Sequence, residues 1–118
     1  IKVLFTPHLV SMTRGILGTN YSILKRQINE NDVIDLYKEF YKNEPFIKIV
    51  SAPPATKQTW GSNFVYIYPY INKETNTLVV ISALDNLVKG SAGAAIQNMN
   101  IMQGFEETLG IDQLPIYP

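Results

Sequence analysis

The chain has 118 residues, of which 46% are hydrophobic, and its ten lysine and arginine side chains balance ten acidic ones. This composition is typical of one globular domain, and the lack of clustered cations argues against nucleic-acid binding. With no cysteine and one histidine, the chain has no disulfide framework, and we expect no metal site.

The sequence also has features that bear on where the protein acts. No apolar run approaches the roughly 20 residues that span a bilayer, and no signal-peptide pattern is present, so we expect a cytoplasmic protein without a membrane partner. The apolar run Val3-Leu4-Phe5 follows Ile1 without a polar leader. We therefore expect the chain to be part of a larger protein.

The first half of the chain predicts two strands, a helix and a third, short strand. Residues 2–5 are predicted to be a strand, and residues 14–24, which contain two glycines, are predicted to be another. The segment NENDVIDLYKEFYKN predicts a helix that is capped by Asn29 or Asn31, ends at Pro45, and is followed by the short strand PFIKIV. Its predicted buried face consists of Val33, Leu36, Tyr37, Phe40 and Tyr41.

The second half predicts a hairpin and a closing helix. Residues 63–71 and 77–84 are predicted strands joined by the turn NKETN, with Phe64, Tyr66, Tyr68 and Tyr70 on one face and Pro69 at an edge or bulge. The helix that follows is predicted to end at Gly104 or Gly110. Its predicted apolar stripe is Ala92, Ala95, Ile96, Met99 and Met102. Together these elements predict an α+β fold with helices on one face of the sheet.

Three segments could carry chemistry. The run Gly90-Ser91-Ala92-Gly93 opens a helix with small residues, so free backbone N–H groups could approach a flat or anionic ligand, although close packing on the sheet would also explain it. His8 follows Pro7 at a predicted strand end. Its imidazole could transfer a proton, or it could make a structural hydrogen bond. Arg14 could be a surface or helix-dipole charge, but at the start of an apolar strand its guanidinium would need an anionic partner to be held there. Trp60 and the triplet GSN at 61–63 are predicted to form a structural turn.

Four collinear blocks of the chain are similar to a known family. They are FTPHLVSMTRGIL, LYKEFYKNEPFIKI, GSN, and DNLVKGSAGAAIQNMN followed by MQGF. Together they resemble the C-terminal part of the N-acetyl-gamma-glutamyl-phosphate reductases. The resemblance implies a mixed, largely antiparallel sheet, as in the C-terminal domain of glyceraldehyde-phosphate dehydrogenase-like enzymes. It also implies NADPH-dependent reduction of an acyl phosphate in arginine biosynthesis, through a thioester on a cysteine that these residues lack.

The resemblance also implies roles for individual residues. His8 would be the catalytic proton carrier that pairs with the thiol, and Arg14 would bind an anionic group of the substrate. Asn86 would hold the nicotinamide carboxamide, and Gly90 and Ser91 would leave room for NADP(H), which the absent N-terminal domain would mainly bind.

The resemblance further divides the chain. Residues 1–84 would belong to a substrate and dimerisation domain, and residues 85–118 would form a helix and tail against the NADP-binding domain. The isolated chain would be inactive, and the whole protein would be a dimer or tetramer.

Two alternatives remain open from the sequence. The chain could be a non-catalytic binding or oligomerisation module of the same fold, in which the aromatic row at 64–70 forms a subunit interface and His8 is structural. The acyl phosphate could also be the aminoadipyl relative of the glutamyl compound.

Overall fold

The computed structural model describes residues 2–116, and within them a four-stranded sheet is the main framework. The strands are β1 (Ile16–Ile23), β2 (Ile47–Ile49), β3 (Val65–Asn72) and β4 (Thr77–Leu84), and they lie in the order β1-β4-β3-β2. Only β2 and β3 run parallel, whereas β4 is antiparallel to both neighbours. With helices α1 (Glu30–Phe40) and α2 (Gly93–Gln103), this arrangement confirms the predicted α+β class and its mixed, largely antiparallel sheet.

The hairpin between β3 and β4 confirms the predicted pairing and explains Pro69. The N–H of Val65 and the carbonyl of Ile67 bond to the β2 side of the strand, so by alternation position 69 also points that way. The last β2 residue, Ile49, pairs with Ile67. Pro69 was predicted at an edge or bulge. β3 is an inner strand of the sheet, but among the described residues it has no neighbour on that side at Pro69, so the missing N–H breaks no ladder bond.

Helix α1 packs on β3 and β2, but its buried face is narrower than predicted. Asn29 is the N-cap residue, and Val33 is buried with 4% of its surface exposed. The predictions for Leu36 and Phe40 were wrong, because these side chains are 64% and 75% exposed. Spacings of three and four place all five residues on a broad stripe, of which β3 and the short β2 cover only one edge.

The N-terminal segment differs from its prediction. Residues 2–5 were expected to form a strand, but they have no secondary structure, and Val3, Leu4 and Phe5 are each more than 80% exposed. A strand requires a hydrogen-bonded neighbour, and none of the described residues pairs with this segment. The strand predicted over 14–24 is confirmed as β1.

Helix α2 ends at Gly104, whose φ of +71° is left-handed. Gly104 was one of the two predicted ends, and it is confirmed. The predicted apolar stripe lies on the outward side of the helix, since Ala95, Ile96 and Met99 are exposed while Gly93 and Asn100 are buried. The inward face is polar. Its bonds run from Asn63 Nδ2 to Gln97 Oε1, from Lys89 Nζ to the same oxygen, from Gln97 Nε2 to Glu107 Oε1, and from Asn100 to the carbonyls of Glu107 and Leu109. Buried polar side chains such as Asn63 and Asn100 need such partners, and these bonds hold the polar face of the helix against the protein.

Among residues 2–116, no helix is long and apolar enough to cross a membrane.

Candidate functional site

Asp85 is the centre of the site that the chain assembles just after β4. Its carboxylate is fully buried, and it accepts hydrogen bonds from the backbone N–H groups of Gly61 at 2.7 Å, Leu87 at 2.7 Å and Val88 at 3.0 Å. Burial acts to raise the pKa of this carboxyl, but the three hydrogen bonds and the nearby charge of Arg14 lower it below its ordinary value. Asp85 is therefore an ionised group at neutral pH.

Arg14 provides the fourth donor to Asp85. Its Nη2 lies 3.0 Å from Asp85 Oδ2, and the arginine side chain is 31% exposed. Its Nε is buried and has no acceptor among residues 2–116. The backbone carbonyl of Arg14 accepts a hydrogen bond from the indole Nε1 of Trp60 at 3.2 Å. The anionic partner that the sequence required for this arginine is thus found within the chain, and it leaves part of the guanidinium uncommitted.

Asn86 links the same turn to the start of β1. Its Oδ1 accepts a hydrogen bond from the N–H of Gly15 at 2.7 Å. Gly15 has a φ of +107°, and a Cβ added there would lie 2.6 Å from Cβ of Thr56, so glycine is required for this approach. Because the oxygen is occupied, the amide is fixed with its Nδ2 hydrogens left as donors.

The turn that carries Gly90 and Ser91 differs from the predicted open helix start. Residues Val88–Ala92 form a π turn ahead of α2, in which the N–H of Gly90 donates to the carbonyl of Asp85 and that of Ala92 to Leu87. These N–H groups are therefore not free for an anion, contrary to the expectation. Gly90 and Ser91 remain exposed, and single π turns of this kind frequently lie at functional sites.

His8 lies in the N-terminal segment, and its side chain is exposed and not buried among aliphatic side chains. Its Nδ1 is 3.1 Å from the carbonyl oxygen of Thr6, a geometry that suits an Nδ1–H donor and leaves Nε2 as the basic nitrogen of the neutral ring. Within residues 2–116, no hydrogen bond or ion pair connects His8 to the Arg14–Asp85–Asn86 cluster. The structure thus unites Arg14 and Asn86 with the Gly90 turn, but it does not bring His8 into the same network.

Sequence reasoning missed Asp85, which is the residue that joins these parts. A signal existed, because an aspartate directly after a strand and before a helical turn commonly accepts the N–H groups two and three residues ahead. The turn predicted at Trp60 and GSN is confirmed, since Gly61 has a φ of +74° and Ser62 and Asn63 are buried. Among the described residues, no three histidine or acidic side chains are grouped to hold a metal ion.

Comparison with known proteins gives the family. A family model described as "Semialdehyde dehydrogenase, dimerisation domain" matches residues 1–86. The chain belongs to this semialdehyde dehydrogenase family. Its fold also resembles that of aspartate semialdehyde dehydrogenase II from Vibrio cholerae, with a TM-score of 0.59 and 15% identity over 79% of this chain and 28% of that one.

Relatives that are similar in sequence have a more specific name than the family. N-acetyl-gamma-glutamyl-phosphate reductase from Thermoanaerobacter sp. (strain X514) is 55% identical over 100% of this chain and 35% of its own length. The protein of the same name from Dehalococcoides mccartyi (strain CBDB1) is 49% identical over 99% of this chain and 34% of its own. The resemblance seen in the sequence is confirmed, and the chain spans about a third of the length of these reductases.

Proposed function

We propose that the chain is the C-terminal part of an NADPH-dependent reductase that converts N-acetyl-glutamyl 5-phosphate to N-acetyl-glutamate 5-semialdehyde and phosphate in arginine biosynthesis, in the cytoplasm. The observation that carries this proposal is the identity of about half, over the whole chain, with proteins named N-acetyl-gamma-glutamyl-phosphate reductase. In the proposed reaction a cysteine of the remaining protein displaces phosphate to form a thioester, and NADPH, when bound, supplies the hydride.

In this scheme His8 carries the proton. Its exposed ring and the Thr6 carbonyl beside Nδ1 support this role, because they leave Nε2 able to take a proton from a thiol or return one to an oxygen. An exposed ring can reach a thiol provided by another part of the protein. The role also fits the absence of cysteine from this chain, which by itself could not form the thioester and is expected to be inactive.

Arg14 binds an anionic group of the acyl phosphate. The guanidinium uses one donor nitrogen on Asp85 and is partly exposed, so the remaining donors support contact with a carboxylate or phosphate. A guanidinium that is already held can bind an anion without ordering a free side chain first.

Asn86, Gly90 and Ser91 face the cofactor. The residues fit a nicotinamide carboxamide, since the amide of Asn86 is oriented by Gly15 and keeps its Nδ2 donors for a carbonyl oxygen. The exposed Gly90 and Ser91 present little side chain in front of the turn. Most of NADP(H) would be bound by the part of the protein upstream of this chain.

The two parts of the chain have different roles in the full-length protein. Residues 1–84 belong to the substrate and dimerisation domain, and residues 85–118 pack on the NADP-binding domain. The match to the family model ends at residue 86, and the outward face of α2 carries Ile96, Met99 and Met102, at 38%, 50% and 79% exposure. Exposed apolar side chains grouped in this way are typical of a contact surface.

A second surface suits contact between subunits, giving a dimer or tetramer. In the sheet register Tyr21 lies opposite Val79, which lies opposite Tyr70, so these side chains share one face with Tyr66 and Tyr68. The rings of Tyr68 and Tyr70 stack at 5.5 Å. We call this surface, formed by Leu17, Tyr21, Ile23, Tyr66, Tyr68 and Tyr70, the tyrosine face. Its composition supports an interface, and the family model is described as a dimerisation domain.

The test measures NADPH oxidation by the full-length protein with N-acetyl-glutamyl phosphate and with its aminoadipyl counterpart. The glutamyl compound is expected to give the higher kcat/KM, and His8→Asn is expected to lower kcat by about two to four orders of magnitude with an unchanged circular dichroism spectrum. Near-normal turnover by His8→Asn would remove its catalytic role. A wild-type protein that reduces neither acyl phosphate would favour the non-catalytic module.

A further inference from the structure

The carboxylate of Asp85 is saturated by donors that come from three separate parts of the chain. Its Oδ1 accepts from Leu87 and Val88 in the turn after β4, and its Oδ2 accepts from Gly61 in the turn before β3 and from Arg14 ahead of β1. An ionised carboxylate offers about four lone-pair sites. Since each is used and the side chain is fully buried, the carboxylate cannot rotate to another position.

Arg14, in contrast, is only partly used by the chain. One of its nitrogens contacts Asp85, its Nε has no acceptor among the described residues, and about a third of its side chain is exposed. A guanidinium carries five N–H donors in a rigid fork. A fixed carboxylate on one side therefore sets the direction in which the other donors point.

We infer that Asp85 is a positioning residue for substrate binding, which holds the Arg14 guanidinium in the orientation that receives the anionic group of the acyl phosphate. The inference rests on the proposed function. Asp85 is buried beneath the arginine and does not touch the substrate, so its whole effect on substrate affinity passes through Arg14. This predicts that the two residues act as one unit on KM for the acyl phosphate.

The test is a double-mutant cycle in the full-length protein, with KM for N-acetyl-glutamyl phosphate as the readout. Asp85→Asn keeps the size of the side chain and removes its charge, and it is expected to raise this KM about tenfold when Arg14 is present. In the Arg14→Leu background the same substitution is expected to add less than about twofold. A change in KM by the same factor in both backgrounds would show that Asp85 acts independently of Arg14, and that result would overturn the inference.

A second variant leaves Asp85 and its backbone hydrogen bonds intact, and so remains informative even if Asp85→Asn does not fold. Arg14→Lys keeps the positive charge but lacks the fork, so it is expected to raise KM for the acyl phosphate nearly as much as Arg14→Leu does. A native KM in Arg14→Lys would show that orientation by Asp85 is irrelevant. An inactive wild-type protein would instead refute the proposed function, which distinguishes the two failures.

Discussion

Gly93, the first residue of α2, offers a sharp test of the packing beneath the Gly90 turn. A Cβ added at this position would overlap Oδ1 of the buried Asn63, and it would lie 2.8 Å from both the carbonyl oxygen and Cγ1 of Val88. The carbonyl is backbone and cannot move away without shifting the π turn. We therefore expect Gly93→Ala to destabilise the protein, although alanine is normally the better helix former.

The magnitude follows from opposing contributions. Overpacking a filled site typically costs about 1–3 kcal/mol, and displacing Asn63 would break its hydrogen bond to Gln97, worth about 1 kcal/mol. Alanine recovers about 1 kcal/mol over glycine in a helix. The net expectation is a loss of about 1–3 kcal/mol in the free energy of unfolding.

The assay is urea unfolding of the full-length protein, followed by circular dichroism, with the m value compared between variants. Gly90→Ala is the matched control, because a Cβ there would make only ordinary contacts, at 3.4 Å to the carbonyl of Asp85 and to Leu84. It is expected to change stability by less than about 1 kcal/mol. A Gly93→Ala protein as stable as this control would refute the packing described here.

Three further predictions concern the site and the surfaces. The pKa of Asp85 is lowered in the folded protein. Its charged form therefore stabilises the fold fully above the unfolded pKa of about 4, and this contribution is lost as the pH falls below that value through the folded pKa. In urea titrations, the difference in unfolding free energy between wild type and Asp85→Asn should stay constant from pH 7 to about pH 5 and narrow below about pH 4, and a difference that does not change below pH 4 would contradict it. In steady-state assays, Asn86→Ala is expected to raise KM for NADPH about tenfold and to change KM for the acyl phosphate less than about twofold. Equal changes in the two KM values would count against a cofactor contact. Replacing Tyr21 and Tyr68 together by glutamate should dissociate the assembled protein into smaller species in sedimentation velocity, whereas Leu36→Glu on the outer face of α1 should not, and dissociation by the control alone would place the interface elsewhere.

Where the sequence predicted structure correctly, local chemistry was decisive. The hairpin follows from two strand-like runs around a polar turn. α1 follows from the spacing of its apolar residues, although it ends at Phe40 and not at Pro45. Each of these features depends on residues that are near one another in the chain, so no knowledge of tertiary neighbours is needed.

The failures have one cause, which is that burial depends on distant partners. Periodicity identified the apolar stripe of α2 but not the direction in which it faces, because the bonds of Asn63, Gln97 and Asn100 hold the opposite face against the protein. Likewise, Val3 and Leu4 have strand-forming side chains but no neighbour to pair with among the described residues. The ion pair between Arg14 and Asp85 links residues far apart in the chain. The spacing of residues along the sequence cannot predict such a contact.

The unpaired stretch of β3 bears on how molecules of this protein meet. A strand from another molecule could pair with β3 beyond Ile49. At Pro69 it would meet a carbonyl acceptor but no N–H donor, so the hydrogen-bond ladder between the molecules would be interrupted there. Growth in that direction, which would lead to open-ended fibres, is thereby discouraged. The tyrosine face, which we propose as the subunit interface, lies instead on the broad surface of the sheet, where contact between two copies closes on itself.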